Sequence, residues 1–68
     1  MKRWNMTEHT ETENPKLDEF LEHLSMLCEE YGFSIAHEDR HGGFWIEPYD
    51  SDNIDWIMSA SDNTGKEL

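Results

Sequence analysis

The segment from Asn14 to Gly32 constrains the fold more than any other part of this chain. Asn14-Pro15 is a helix start. The Asn side chain accepts from early backbone amides, and proline at the first helical position loses no donor that the helix needs. Leu17, Phe20, Leu21, Leu24, Leu27, Cys28 and Tyr31 then recur at helical spacing and make one continuous apolar face. Gly32 supplies a left-handed cap, and Phe33 is placed to fold back onto the last turn. Asp18 and Glu19 suit the positive end of the helix dipole. A helix with such a face must lay it on something, and the residues after Gly32 have to provide it.

There the period changes to two. Phe33, Ile35 and His37 alternate with Ser34 and Ala36, and Asp39-Arg40-His41-Gly42-Gly43 is turn chemistry. Phe44–Glu47 returns as a second strand, and Pro48 ends it or marks an edge. The pattern predicts a β-hairpin with Phe33, Ile35, Phe44 and Ile46 toward the helix and Trp45, with Tyr49, pointing away. The next segment has two readings. Asp52 as N-cap with Asp55 three residues on, and the helical spacing of Ile54, Ile57 and Met58, suit a short helix to about Ala60; Ile54, Trp56, Met58 and Ala60 also alternate like a strand. The expected fold is α+β: a long N-terminal amphipathic helix packed on an antiparallel hairpin, then a short C-terminal helix or third strand. Its expected core is Leu17, Phe20, Leu21, Leu24, Leu27, Phe33, Ile35, Phe44, Ile46, Ile54 and Ile57. Residues 1–13 are polar and aperiodic and read as a flexible arm around Trp4; 14–62 form the single domain, and 63–68 a polar tail.

Charge bounds the function. Sixteen Asp and Glu against five Lys and Arg leave a formal net charge of −11. Between Leu17 and Asp62 twelve carboxylates face one cation, Arg40, so the excess lies on the foldable part. Such a field repels nucleic acid and anionic membrane, and it favours a positively charged partner. About 25 Å of duplex carries roughly 14 charges, so a body at −11 can compete for a nucleic-acid-binding groove. The contributors this predicts are Asp18, Glu22, Glu29, Glu30, Glu38, Asp39, Glu47, Asp50, Asp52 and Asp55. Trp45, Tyr49 and Trp56 exceed what one helix and one hairpin can bury, which makes Trp45 and Tyr49 apolar anchors within an acidic rim.

Catalytic signatures are weak. His37-Glu38-Asp39-Arg40-His41 matches H-E-x-x-H, but that spacing aims two imidazoles at zinc only on a helix, and here it runs from an alternating segment into Gly42-Gly43. The expectation is a polar hairpin tip, with His37 and His41 as weak metal candidates, and with no catalytic residue and no cofactor. Gly42-Gly43 lacks the lysine and the strand–loop–helix setting of a phosphate cradle. Cys28, the single cysteine, lies on the apolar stripe and reads as a buried free thiol in a reducing cytoplasm. No apolar run follows Lys2-Arg3, and none approaches the ~18 residues of a membrane span, so a cytoplasmic protein is expected.

The Leu17–Tyr31 helix and the following YGFSIAHEDRHGGFWIEPYDSDNIDWIMSA resemble a group of short acidic proteins from phages and prophages of Gram-positive bacteria. These join a leucine-rich acidic helix to a YG-x-x-I segment, a Gly-containing turn and a short I-x-W-[IL] element, over about residues 16–62 here. The resemblance implies a class: small acidic phage proteins often inhibit host proteins, among them CRISPR and restriction nucleases. The sequence therefore predicts a non-enzymatic binding protein that docks its acidic surface on a basic, nucleic-acid-binding host protein. The other readings are a metal- or small-ligand-sequestering protein working through the hairpin tip, and a homodimeric adaptor.

Overall fold

The computed structural model describes residues 1–38, 40 and 42–65. The element order is β1 (Lys2–Asn5), β2 (Thr10–Glu13), α1 (Pro15–Tyr31), β3 (Phe33–His37), β4 (Phe44–Pro48) and α2 (Ser51–Met58). β1 pairs with β2 and β3 with β4, both antiparallel, in two separate two-stranded sheets. The class is α+β.

The long helix starts and stops where its caps require. The Asn14 side chain accepts from the Leu17 amide at 3.2 Å, with Pro15 in the first turn. At the other end Gly32 adopts φ +74°, and its N–H donates to the Cys28 carbonyl at 2.9 Å. The Gly32 carbonyl accepts from Tyr49, which ties the helix end to the strand returning from the hairpin. Gly42, at φ +69°, supplies a left-handed position in the β3–β4 turn.

The C-terminal segment is a helix and not a third strand. Its N-cap is Asp50, two residues before the expected Asp52: Asp50 is extended, and its Oδ1 accepts from the Asp52 amide at 2.8 Å. Pro48 closes β4 just before it, which leaves Asp50 as the first extended residue whose side chain can reach the new helix.

Residues 1–13 correct the expectation of a loose arm. They form the β1–β2 hairpin, in register Lys2↔Glu13 through Asn5↔Thr10. Asn5 builds the turn with its side chain, accepting from the Thr7 and Glu8 amides, and His9 takes φ +57°. The hairpin belongs to the fold: the Asp62 amide donates to the Trp4 carbonyl and the Met6 amide to the Asp62 carbonyl, both at 2.7 Å. Asn5 and Asp62 thus make a parallel bridge, so residues near Asp62 lie along β1. Of the expected tail, Asn63–Gly65 are described, and Thr64 bonds to Asp62 and Asn14.

The core is smaller and more polar than the apolar pattern predicts. Leu21, Cys28, Ala36 and Ile54 are buried, and with them Arg3, Asn5, Ser34 and Asp62. Leu17, Leu24, Ile35 and Ile57 are half-buried, whereas Phe20, Leu27, Phe33, Phe44 and Ile46 are exposed. The reason is the phase of β3. Its inward residues are the small ones, Ser34 and Ala36, and the Ser34 hydroxyl donates to the Pro48 carbonyl and accepts from Asn53 of α2. A strand has only two faces, so turning Ser34 and Ala36 inward turns Phe33, Ile35 and Ile46, the cross-strand partner of Ile35, to the other face. Those residues and Leu24, Leu27 and Tyr31 of α1 become the walls of an open groove of about 430 Å³.

Candidate functional site

At 3.6 residues per turn, α1 divides into three lengthwise faces. Leu17, Leu21 and Cys28 point into the core. Phe20, Leu24, Leu27 and Tyr31 form the neighbouring stripe, of which Phe20, Leu27 and Tyr31 are exposed. Glu19, Glu22, Glu29 and Glu30 share about 100° of arc on the far side, all exposed. Lys16, His23 and Glu30 mark the border between the apolar stripe and the acidic face. The apolar face legible in the sequence is thus about three times as wide as the core it serves.

The nominated carboxylates separate into two groups. Glu22, Glu29 and Glu30 on α1 and Asp52 and Asp55 on α2 are exposed, and no hydrogen bond or ion pair among the described residues engages their side chains. Glu19 belongs with them and is the contributor that sequence reasoning passed over; its spacing from Glu22 was the available signal. The other nominated groups are committed to the fold. Asp18 accepts from Arg3 Nη2 at 2.6 Å and from the amino terminus at 3.0 Å. Asp50 is the α2 cap, Glu47 accepts from Trp45 Nε1 at 3.1 Å, and half-buried Glu38 accepts from the Arg40 amide at 2.7 Å. These four hold contacts within the fold as well as carrying charge. Asp39 lies outside the described residues.

The aromatic anchors are partly open. Trp45 sits on the Ala36 side of the hairpin and is held by Glu47, and Tyr49 follows β4; both are exposed. Trp56 stacks on His37, with ring centroids 5.4 Å apart. His37 therefore ends a strand against an aromatic ring, which is not the helical setting that the H-E-x-x-H spacing needs, and His41 lies outside the described residues. Among the described residues no group of three or more His, Cys, Asp or Glu side chains is placed to hold a metal, and no helix is long and apolar enough to cross a membrane. Cys28 is a buried free thiol.

What the sequence did not reveal is a buried polar clip. Arg3, on β1, sends Nη1 to the carbonyls of Met58 and Ala60 at 3.0 and 2.9 Å, and Nη2 to Asp18. One guanidinium thus caps the C-terminal end of α2, where helix carbonyls are unsatisfied and cations are favoured, and clamps the first turn of α1. Asp62 plays the matching acidic part, accepting from Asn14 Nδ2 and from the amide and hydroxyl of Thr64.

These contacts set the pH response. The Arg3 hydrogen bond, then that of the amino terminus, holds the Asp18 carboxyl below its ordinary 3.8. The Thr64 hydroxyl and amide, then Asn14, do the same for Asp62. Hydrogen bonds to Asp18 and Glu13 hold the amino terminus above its ordinary 8.0. A lowered carboxyl contributes in full above its unfolded value and is lost as pH falls through the folded one; the raised amine contributes below 8.0 and is lost as pH rises through its folded value. Thermal melts should show a plateau between about pH 4 and 8 with a decline on either side. Asp18→Asn should flatten both limbs, because Asp18 serves Arg3 and the amino terminus together. Limbs of unaltered slope in that variant would remove this account.

Compared with family models, curated proteins and solved structures, the chain matches none.

Proposed function

We propose that this chain is a non-enzymatic acidic binding protein of the cytoplasm that occupies the basic, nucleic-acid-binding groove of another protein, as an inhibitor of a host defence nuclease would. The observation that carries this reading is the free acidic face of α1. Glu19, Glu22, Glu29 and Glu30 span about 16 Å at a rise of 1.5 Å per residue. One strand of a duplex presents a phosphate every ~3.4 Å, or about five over that length. Four exposed carboxylates on a rigid rod are close to that density. Asp52 and Asp55 add exposed charge on α2, and Trp45 and Tyr49 supply partly exposed aromatic surface.

Electrostatic docking of exposed charges is fast and easily screened. A partner captured from a nuclease-treated bacterial lysate should bind at least about tenfold more weakly at ~300 mM salt than at ~50 mM, and duplex DNA should displace it competitively. Glu22→Gln/Glu29→Gln should weaken the complex, whereas Glu11→Gln, on β2, should leave it unchanged. An affinity indifferent to salt, or a partner that binds DNA and this chain together, would rule out the mimicry.

A further inference from the structure

We propose that a second copy of this chain covers the open apolar stripe of α1, with the two α1 helices antiparallel across a two-fold axis. The stripe has the spacing of a helix–helix seam: Phe20, Leu24, Leu27 and Tyr31 are four, three and four residues apart, as the a and d positions of a heptad are. Phe20, Leu27 and Tyr31 are 61%, 50% and 65% exposed. At the C-terminal end of the helix the stripe runs into Phe33 and Ile46 across the groove, 54% and 57% exposed.

Area argues for a cover. With Phe44, these six side chains present on the order of 700 Å² of largely apolar surface. The largest patch on a typical monomer is about 300–600 Å², and a standard interface takes about 800 Å² from each partner. A seam along α1 that reaches the outer face of the β3–β4 hairpin falls in the second class.

Charge selects the occupant. The border of the stripe away from the core carries Lys16, His23 and Glu30, seven residues apart, all three exposed. In heptad terms these are g positions, which meet one another when two helices run antiparallel. A two-fold axis near His23 puts Lys16 of each copy beside Glu30 of the other, giving two ion pairs. A parallel pair would set these g positions against the partner's e positions, Leu21 and Cys28, which are buried in the core, and would form no such ion pair. Glu19, Glu22 and Glu29 turn away from the seam, so two bodies at −11 meet on the side of α1 with the least negative charge. The pairing engages Glu30 at the border and leaves Glu19, Glu22 and Glu29 uncovered for a basic partner. Its fate is therefore separate from that of the acidic-face reading.

The test is sedimentation equilibrium of the full chain at ~10–100 µM, at low and high salt. The expected result is a dimer, tighter at high salt because screening relieves the repulsion between the two bodies. Leu27→Glu should raise the dissociation constant at least ~100-fold with the helical circular dichroism retained. Lys16→Glu and Glu30→Lys should each weaken it about tenfold, and the double exchange Lys16→Glu/Glu30→Lys should restore it. The restoration reads orientation and does not depend on Leu27→Glu folding. A wild-type monomer at ~100 µM in both salts, or a dimer indifferent to Leu27→Glu, would overturn the proposal. A double exchange no better than the single ones would overturn the antiparallel arrangement.

Discussion

Arg3→Ala should lower the melting temperature by at least about 12 °C, the largest effect expected of any substitution in the amino-terminal hairpin. The Arg3 side chain is buried and joins three elements: β1, which carries it, α2, whose last carbonyls it caps, and α1, whose Asp18 it pairs with. Removing it leaves the Met58 and Ala60 carbonyls without their donor and the Asp18 carboxylate without its nearest cation. Charge-assisted hydrogen bonds contribute about 1.5–3 kcal/mol each, so the loss at the two carbonyls alone is at least about 3 kcal/mol. A domain of this size has roughly 3–10 kcal/mol in total. Arg3→Lys should recover only part of the loss, since a single ammonium cannot reproduce the planar fork that serves two carbonyls and a carboxylate at once. Urea melts of the three proteins check this. An Arg3→Ala protein as stable as the parent would mean that residues 1–13 are dispensable to the fold, as the sequence alone suggested.

Leu21→Ala should cost about 2–5 kcal/mol, whereas Leu27→Ala, six residues along the same helix, should cost under about 1 kcal/mol in the monomer. Both lie on the apolar face of α1, and the periodicity does not rank them. Leu21 is 3% exposed and belongs to a core whose other buried apolar members are Cys28, Ala36 and Ile54. Truncating it opens a cavity that so few neighbours cannot close. Leu27 loses contacts on one side only, because its other side faces the groove. Denaturant melts at a concentration below any self-association separate the two. Equal losses would mean that the groove closes in solution.

The limits of α1 were legible because each rests on a contact within a few residues: Asn14 to Leu17, and Gly32 to Cys28. The β3–β4 hairpin was legible for the same reason, from its alternation and from Gly42. The acidic character of the candidate site was legible from charge alone, but not which carboxylates stay free. Asp18 and Glu22 look alike in sequence; one is clamped by Arg3, fifteen residues away, and the other is not. The β1–β2 hairpin escaped notice because Thr-Glu-Thr-Glu alternates without an apolar partner, and because its turn uses the Asn5 side chain and a left-handed His9 where a glycine would have been the signal.

The sequence by itself determined the elements that local physics closes: where α1 starts and stops, where the chain reverses after β3, and how much negative charge the surface must carry. Only the tertiary structure decided which part of the α1 apolar face is buried and which face of β3 turns inward. Both choices depend on what stands opposite. Period two offers two equivalent faces and a wide stripe offers several, until α2 packs against β3 and Asn53 bonds the Ser34 hydroxyl. That docking, held by one guanidinium at the end of α2, leaves Phe20, Leu27, Tyr31 and Phe33 facing outward.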